Sequence, residues 1–166
     1  MPLLFRSRGF RVDSRPLNKR VGIKSPADLN GRRVGVQTWF TTTALWMRGI
    51  LQDERTGFFP IMHTLLIKTD VLNENPWVAM SLFDAWQASK QRCYKWLEWQ
   101  RIHQTSMWFR ALWEEERGVA GSDIYPWGFR KTRAEVDKML DYAHRQGLTS
   151  CRFEPEEMFH PSTLDT

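Results

Sequence analysis

Only two stretches of this 166-residue chain read as β-strands, whereas four longer stretches read as amphipathic helices, and that imbalance limits the fold more than any other feature. A sheet in an α/β domain usually has about 5 or 6 strands. Long helices with one apolar face also need a surface to cover. Either the fold is mostly helical with a minimal sheet, or the remaining strands belong to sequence that this chain lacks. Disorder does not explain the shortage, because 42% hydrophobic and 26% charged residues is the balance of a globular domain able to bury a core.

In chain order, Ser25-Pro26-Ala27-Asp28-Leu29-Asn30-Gly31 predicts a single helical turn, with Ser25 as N-cap, Pro26 at the first helical position and Gly31 at the exit. Arg32 to Val36 reads as a short buried strand. Thr41 to Thr43 offer an N-cap for a helix through Ala44, Trp46, Ile50 and Leu51. The loop from Gln37 to Thr43 joins strand to helix, which is where an α/β fold places hydroxyls and backbone amides against a ligand. Ile61 to Lys68 is a β-branched apolar run and reads as the second strand. Asn75 and Pro76 then open a long helix whose apolar stripe is Val78, Leu82, Phe83, Trp86, Cys93, Trp96 and Leu97. A further helix covers Ser106 to Arg117, and Gly118 to Gly128 is a turn-rich connection. Thr132 with Glu135 predicts a capping box for a helix through Gln146, stopped by Gly147, and Pro155 to Phe159 forms a last short turn.

Composition narrows the function classes. No apolar run reaches the roughly 18 to 20 residues of a membrane span. The arginines Arg6, Arg8 and Arg11 are not followed by the apolar core of a leader. A cytoplasmic protein that contacts no membrane is therefore expected. Cys93 and Cys151 are too few for a disulfide framework, so free thiols are expected. No histidine or cysteine pair has metal-ligand spacing, and neither metal nor cofactor is expected. Net charge is +5, but outside the first twenty residues the basic side chains alternate with acids, as in Arg133-Ala134-Glu135-Val136-Asp137-Lys138. That pattern is a solvated helix surface, and no nucleic-acid partner is expected. Nine tryptophans in so short a chain must be buried in a core or meet a partner. With bare sheet edges they predict self-association into a homo-oligomer.

Several blocks carry a resemblance. Ser25 to Val36 resembles the segment that opens the second lobe of type II periplasmic-binding-protein folds. Thr42-Thr43-Ala44-Leu45-Trp46-Met47-Arg48-Gly49-Ile50-Leu51 is similar to the T-A-x-W-x-R-G-x-L motif of the 4,5-dihydroxyphthalate decarboxylase family. Phe59 to His63 and Asn75 to Ala79 resemble that family's return into the first lobe. Asp123 to Gly128, Tyr142 to Leu148 and Pro155 to Phe159 resemble its C-terminal tail. The blocks run through nearly the whole chain in matching order. The resemblance implies an incomplete α/β type II periplasmic-binding-protein-like fold, with a small sheet flanked by amphipathic helices and a helical C-terminal half. Residues 1–57 would be the crossover and the start of the second lobe, and residues 58–166 the return strand and the helical part of the first lobe. It also implies a first lobe ahead of Met1 and most of a second lobe between Glu54 and Phe59, neither of which this chain carries. Where the family reads F-R-H, the chain has Phe10-Arg11-Val12.

The implied activity is non-oxidative decarboxylation of an aromatic dicarboxylate, which needs a proton donor at the ring carbon and cationic clamps on the carboxylates. Arg48, a charge among apolar neighbours, is the leading clamp candidate, although on a solvent face it would be ordinary. Arg8 and Arg11 are further candidates. His63 has the right chemistry for the proton donor, while its place in an apolar strand suits a hydrogen-bonded core role equally. Trp39 with Thr42 and Thr43 could line the cleft, an indole stacking on a ring and hydroxyls taking an anion, against the simpler reading that one threonine caps the helix. Three expectations result: a decarboxylase acting on a small anionic aromatic, a solute-binding protein for such a molecule, or an inactive remnant.

Overall fold

A computed structural model describes residues 3–7, 26–36, 38–53, 61, 63–99 and 108–166, with the backbone alone described for 3–7. In chain order the elements are strand β1 (Leu3–Ser7), helix α1 (Thr42–Asp53), strand β2 (His63–Leu66), and helices α2 (Thr69–Glu74), α3 (Trp77–Glu98), α4 (Phe109–Ala120) and α5 (Phe129–Arg145). β1 and β2 pair in a two-stranded sheet. Short 3-10 turns occupy Pro26–Leu29, Pro155–Met158 and Pro161–Thr163. Among the described residues the architecture is thus mostly helical with a minimal sheet. The two-lobed α/β fold implied by the resemblance would need more strands than these.

The second expected strand is present as β2, inside the run 61–68. The first is not: Arg32 to Val36 is irregular, and Val34 is 47% exposed. Flanked by Arg32, Arg33 and Gly35, its two valines offer little apolar surface, and among the described residues no strand supplies the ladder that would let the segment leave water. The single turn at Pro26–Leu29 does form, and Gly31 leaves it at φ 71°, a left-handed conformation that costs glycine little.

The chain divides into two compact units. One is Met1–Phe5, Leu65–Thr132 and Phe159–Thr166, and the other is Arg6–Thr64 and Arg133–Met158. In the first, Leu72 of α2 packs with Ala79 and Phe83 of α3, joined by Leu65, Ile67, Met80 and Trp127. The expected α3 stripe is buried only over its first turns. Trp86 and Trp96 are about half exposed and Cys93 is exposed, because the buried face runs Ala79, Phe83, Lys90. Lys90 is held inside by charge-assisted bonds: its Nζ donates to both carboxylate oxygens of Asp123, at 2.9 and 3.1 Å, and to the Tyr125 carbonyl at 2.9 Å. Further along, Trp113 of α4 is buried between Tyr94 and Phe109.

The start of α5 also lies in this unit and corrects the expected capping box. The helix begins at Phe129, so Thr132 is already inside the first turn, where its hydroxyl donates to the Gly128 carbonyl at 2.7 Å. Its orphan amides are met by Thr166 instead: the Thr166 hydroxyl accepts from the Phe129 N–H at 3.0 Å, and the Thr166 carbonyl accepts from the Arg130 N–H at 2.8 Å.

In the second unit α1 packs on α5. Ala44, Leu45, Trp46 and Ile50 are buried with Ile61, Val136, Leu140 and Tyr142. Trp46 meets the Tyr142 ring edge-on at 5.6 Å and donates its indole N–H to the Ile61 carbonyl at 2.9 Å. Thr41 caps α1, its hydroxyl accepting from the Ala44 N–H at 3.4 Å. At the far end of α5, Leu148 N–H bonds the Ala143 carbonyl and Gly147 N–H the His144 carbonyl, with Gly147 at φ 69°. This is the Schellman stop that the glycine predicts.

Candidate functional site

Arg48 lies on α1, two residues past Trp46, with its side chain half-buried. Three contacts define its position. Its guanidinium carbon is 3.8 Å from the centre of the Trp39 ring, the separation of a stacked cation–π pair. Its Nε donates to Gln146 Oε1 at 2.7 Å. Its two terminal nitrogens are shielded from solvent and have no hydrogen-bond partner among the described residues. Burial lowers the pKa of the group from its ordinary value, yet a guanidinium remains charged in proteins.

The two bare nitrogens are the unusual part of this arrangement. A buried donor without an acceptor costs about 1–3 kcal/mol, and more when it is charged. An oxyanion placed against them would remove that cost. The terminal edge of a guanidinium presents two parallel N–H donors, which matches a carboxylate taken in bidentate fashion.

The other predicted residues distribute as follows. Trp39, 49% exposed, joins Arg48 directly, so these two candidates are brought together. Thr42 and Thr43 are half-buried in the first turn of α1, while the capping role falls to Thr41. His63 begins β2 with its side chain exposed, and no hydrogen bond or ion pair among the described residues joins it to the Arg48 group. Arg8 and Arg11 lie outside the described residues.

Sequence reasoning missed three features. Gln146 appeared in the sequence only as the end of α5, within the Tyr142 to Leu148 block. Its amide holds Arg48 on one side and donates through Nε2 to the Leu45 carbonyl at 3.0 Å on the other. Beside this group, Asp53 pairs with Lys138 at 2.5 Å and with Arg145 at 3.3 Å. The Lys138 hydrogen bond holds the Asp53 carboxyl below its usual range. The Tyr142 hydroxyl lies near Asp53 without a hydrogen bond of good geometry, and burial, then that carboxylate, push its pKa up. In the first unit the Lys90, Asp123 and Tyr94 cluster also went unforeseen. There Tyr94 donates to Asp123 at 3.1 Å and accepts from the Tyr125 N–H at 3.0 Å.

Among the described residues no three metal-ligating side chains gather, and no helix is long and apolar enough to cross a membrane.

A curated 4,5-dihydroxyphthalate decarboxylase of Comamonas testosteroni is similar to this chain, 23% identical over 251 residues that cover 98% of the chain and 76% of the relative. The alignment is longer than the 166-residue chain, so at least 85 of its positions (251 less 166) lie opposite gaps in this chain. No family model matches the sequence. The two proteins are distant relatives.

Proposed function

We propose that this chain handles a small anionic aromatic as a decarboxylase-type protein, with Arg48 clamping a carboxylate next to Trp39. The observation that carries the reading is the pair of buried guanidinium nitrogens, without a hydrogen-bond partner among the described residues, on a group held over the Trp39 ring. The distant relationship to a 4,5-dihydroxyphthalate decarboxylase supports the choice of ligand class and reaction.

On this reading the substrate is an aromatic dicarboxylate made electron-rich by ring hydroxyls. A proton adds to the ring carbon bearing one carboxylate, the bond to that carboxylate breaks, its electron pair returns to the ring, and carbon dioxide leaves a monocarboxylate. Arg48 holds a carboxylate in bidentate contact and fixes the ring carbon relative to the donor. His63 is the proposed proton donor, and Arg8 and Arg11 the proposed clamps for the second carboxylate. Thr42 and Thr43 face the ligand in the same proposal. The gapped alignment supports the further proposal that residues 1–57 and 58–166 are parts of a two-lobed fold, with a segment lost near Gly57.

The second reading is binding without turnover. It is favoured by one observation: no hydrogen bond or ion pair among the described residues joins His63 to the Arg48 group. The experiment is incubation with 4,5-dihydroxyphthalate, following carbon dioxide and the monocarboxylate. Turnover is expected, and Arg48→Ala is expected to lower kcat/KM by about 100-fold, the scale of losing a buried charged contact worth 2–5 kcal/mol. Saturable binding with no product would replace the decarboxylase reading by the solute-binding one. Neither binding nor product would leave an inactive remnant.

A further inference from the structure

The geometry points to Gln146 as the positioning residue of this anion site: its neutral amide takes Arg48 by Nε and so reserves the terminal edge of the guanidinium, with its charge uncompensated, for a planar carboxylate. The inference rests on the reading above that Arg48 meets the ligand.

A carboxylate can approach a guanidinium in two bidentate ways, across Nε and one terminal nitrogen or across both terminal nitrogens. Here Nε is occupied by Gln146 Oε1 at 2.7 Å, so only the end-on approach remains. Both terminal nitrogens are shielded from solvent and have no hydrogen-bond partner among the described residues, so the donors of that approach are unspent. The Trp39 ring, its centre 3.8 Å from the guanidinium carbon, covers the group from one side. The amide itself cannot turn over. Its Nε2 donates to the Leu45 carbonyl at 3.0 Å, and a flip would set oxygen against oxygen on one side and N–H against N–H on the other.

The backbone is arranged for this reach. Gly147 at φ 69° ends α5 by the Schellman pattern, and Gln146, just past the last helical residue, directs its side chain to α1. Neutrality matters as much as position. Among the described residues no carboxylate pairs with Arg48, whereas the nearby acids Asp53 and Asp141 are paired with Arg145 and Lys138. A glutamate at 146 could still accept from Nε, but it would satisfy the guanidinium charge internally and oppose the Leu45 carbonyl.

The test is titration of the full chain with phthalate by calorimetry, with thermal melting run in parallel on Gln146→Glu and Gln146→Met. The expected result is phthalate affinity weakened about tenfold or more in Gln146→Glu, the cost of a like charge at a desolvated site. Gln146→Met, which frees Nε but adds no charge, should weaken binding by a smaller factor. A residue that only supports the fold predicts variants that lose melting temperature yet bind alike once folded, so equal affinity of the two variants overturns the proposal. Wild-type affinity in Gln146→Glu also overturns it. If Gln146→Glu does not fold, Gln146→Met decides alone: weaker binding supports the proposal, and unchanged affinity sinks it. Wild-type protein that binds phthalate but never turns over 4,5-dihydroxyphthalate would sink the decarboxylase reading and leave the role of Gln146 standing. Wild-type protein that binds no phthalate would sink both.

Discussion

Gly49 of α1 faces Tyr142 so closely that a Cβ built on it would lie 2.2 Å from the ring. The ring has no room to yield, since Tyr142 is fully buried and Trp46 stands edge-on against it. Gly49→Ala is therefore expected to destabilise the fold by about 1–3 kcal/mol, the range of overpacked cores, despite the better helix propensity of alanine. Thermal melting checks this, and a melting temperature at or above that of the wild type would show that α1 and α5 can move apart. The glycine is visible in the sequence inside the Trp46-Met47-Arg48-Gly49 block, but its reason is not. Arg48 is legible in the same partial way. Its charge among apolar neighbours marks it, and Trp39 in the preceding loop is a natural neighbour. Gln146, 98 residues away, becomes its partner only through the packing of α1 on α5, and no local propensity encodes that meeting.

Helix starts and stops were more legible when their partners are close in sequence. Thr41 caps α1 from three residues away and Gly147 ends α5, both as expected. The Thr132 and Glu135 pattern misled because Thr166, 37 residues from Phe129, supplies the cap instead. α3 shows the same division. Its N-terminal stripe is readable, whereas the burial of Lys90 depends on Asp123 and Tyr125 in a later connection. Tyr94 ties the same connection to α3, and burial first, then the Asp123 carboxylate, push its phenol up to about 12 from an ordinary 10. The sign follows from that rise. A raised phenol pKa favours the protonated form in the folded state, so its contribution is fully present below about pH 10. It is lost as pH rises through about 12. Tyr94→Phe should remove this part of the alkaline loss of stability, read as a shallower fall in melting temperature between about pH 10 and 12 than in the wild type. An unchanged alkaline limb would mean that the phenol titrates alike folded and unfolded.

At the scale of the whole molecule, the tryptophan excess resolves into two populations. Trp46 and Trp113 are buried and Trp127 is half-buried, while Trp39 in the second unit and Trp77, Trp86, Trp96, Trp99 and Trp108 in the first are 46% to 71% exposed. The five rings of the first unit, exposed to that extent, together present on the order of 500 Å² of apolar surface spread along α3 and the start of α4. Self-association, proposed on this ground, predicts a sedimentation coefficient that rises with concentration and tryptophan emission that iodide quenches less as it does. A coefficient constant up to about 100 μM, well above the micromolar affinities that interfaces of this class reach, would rule it out. The units themselves were not legible, because each joins segments far apart in the chain. That discontinuity sets an order of events during synthesis. The apolar face of α1, with Leu45, Trp46 and Ile50, is covered by residues of α5 from Arg133 onward, roughly 80 residues after α1 ends at Asp53. At about 5–20 residues per second, a nascent chain carries that face uncovered for roughly 4–16 s before its partner leaves the ribosome.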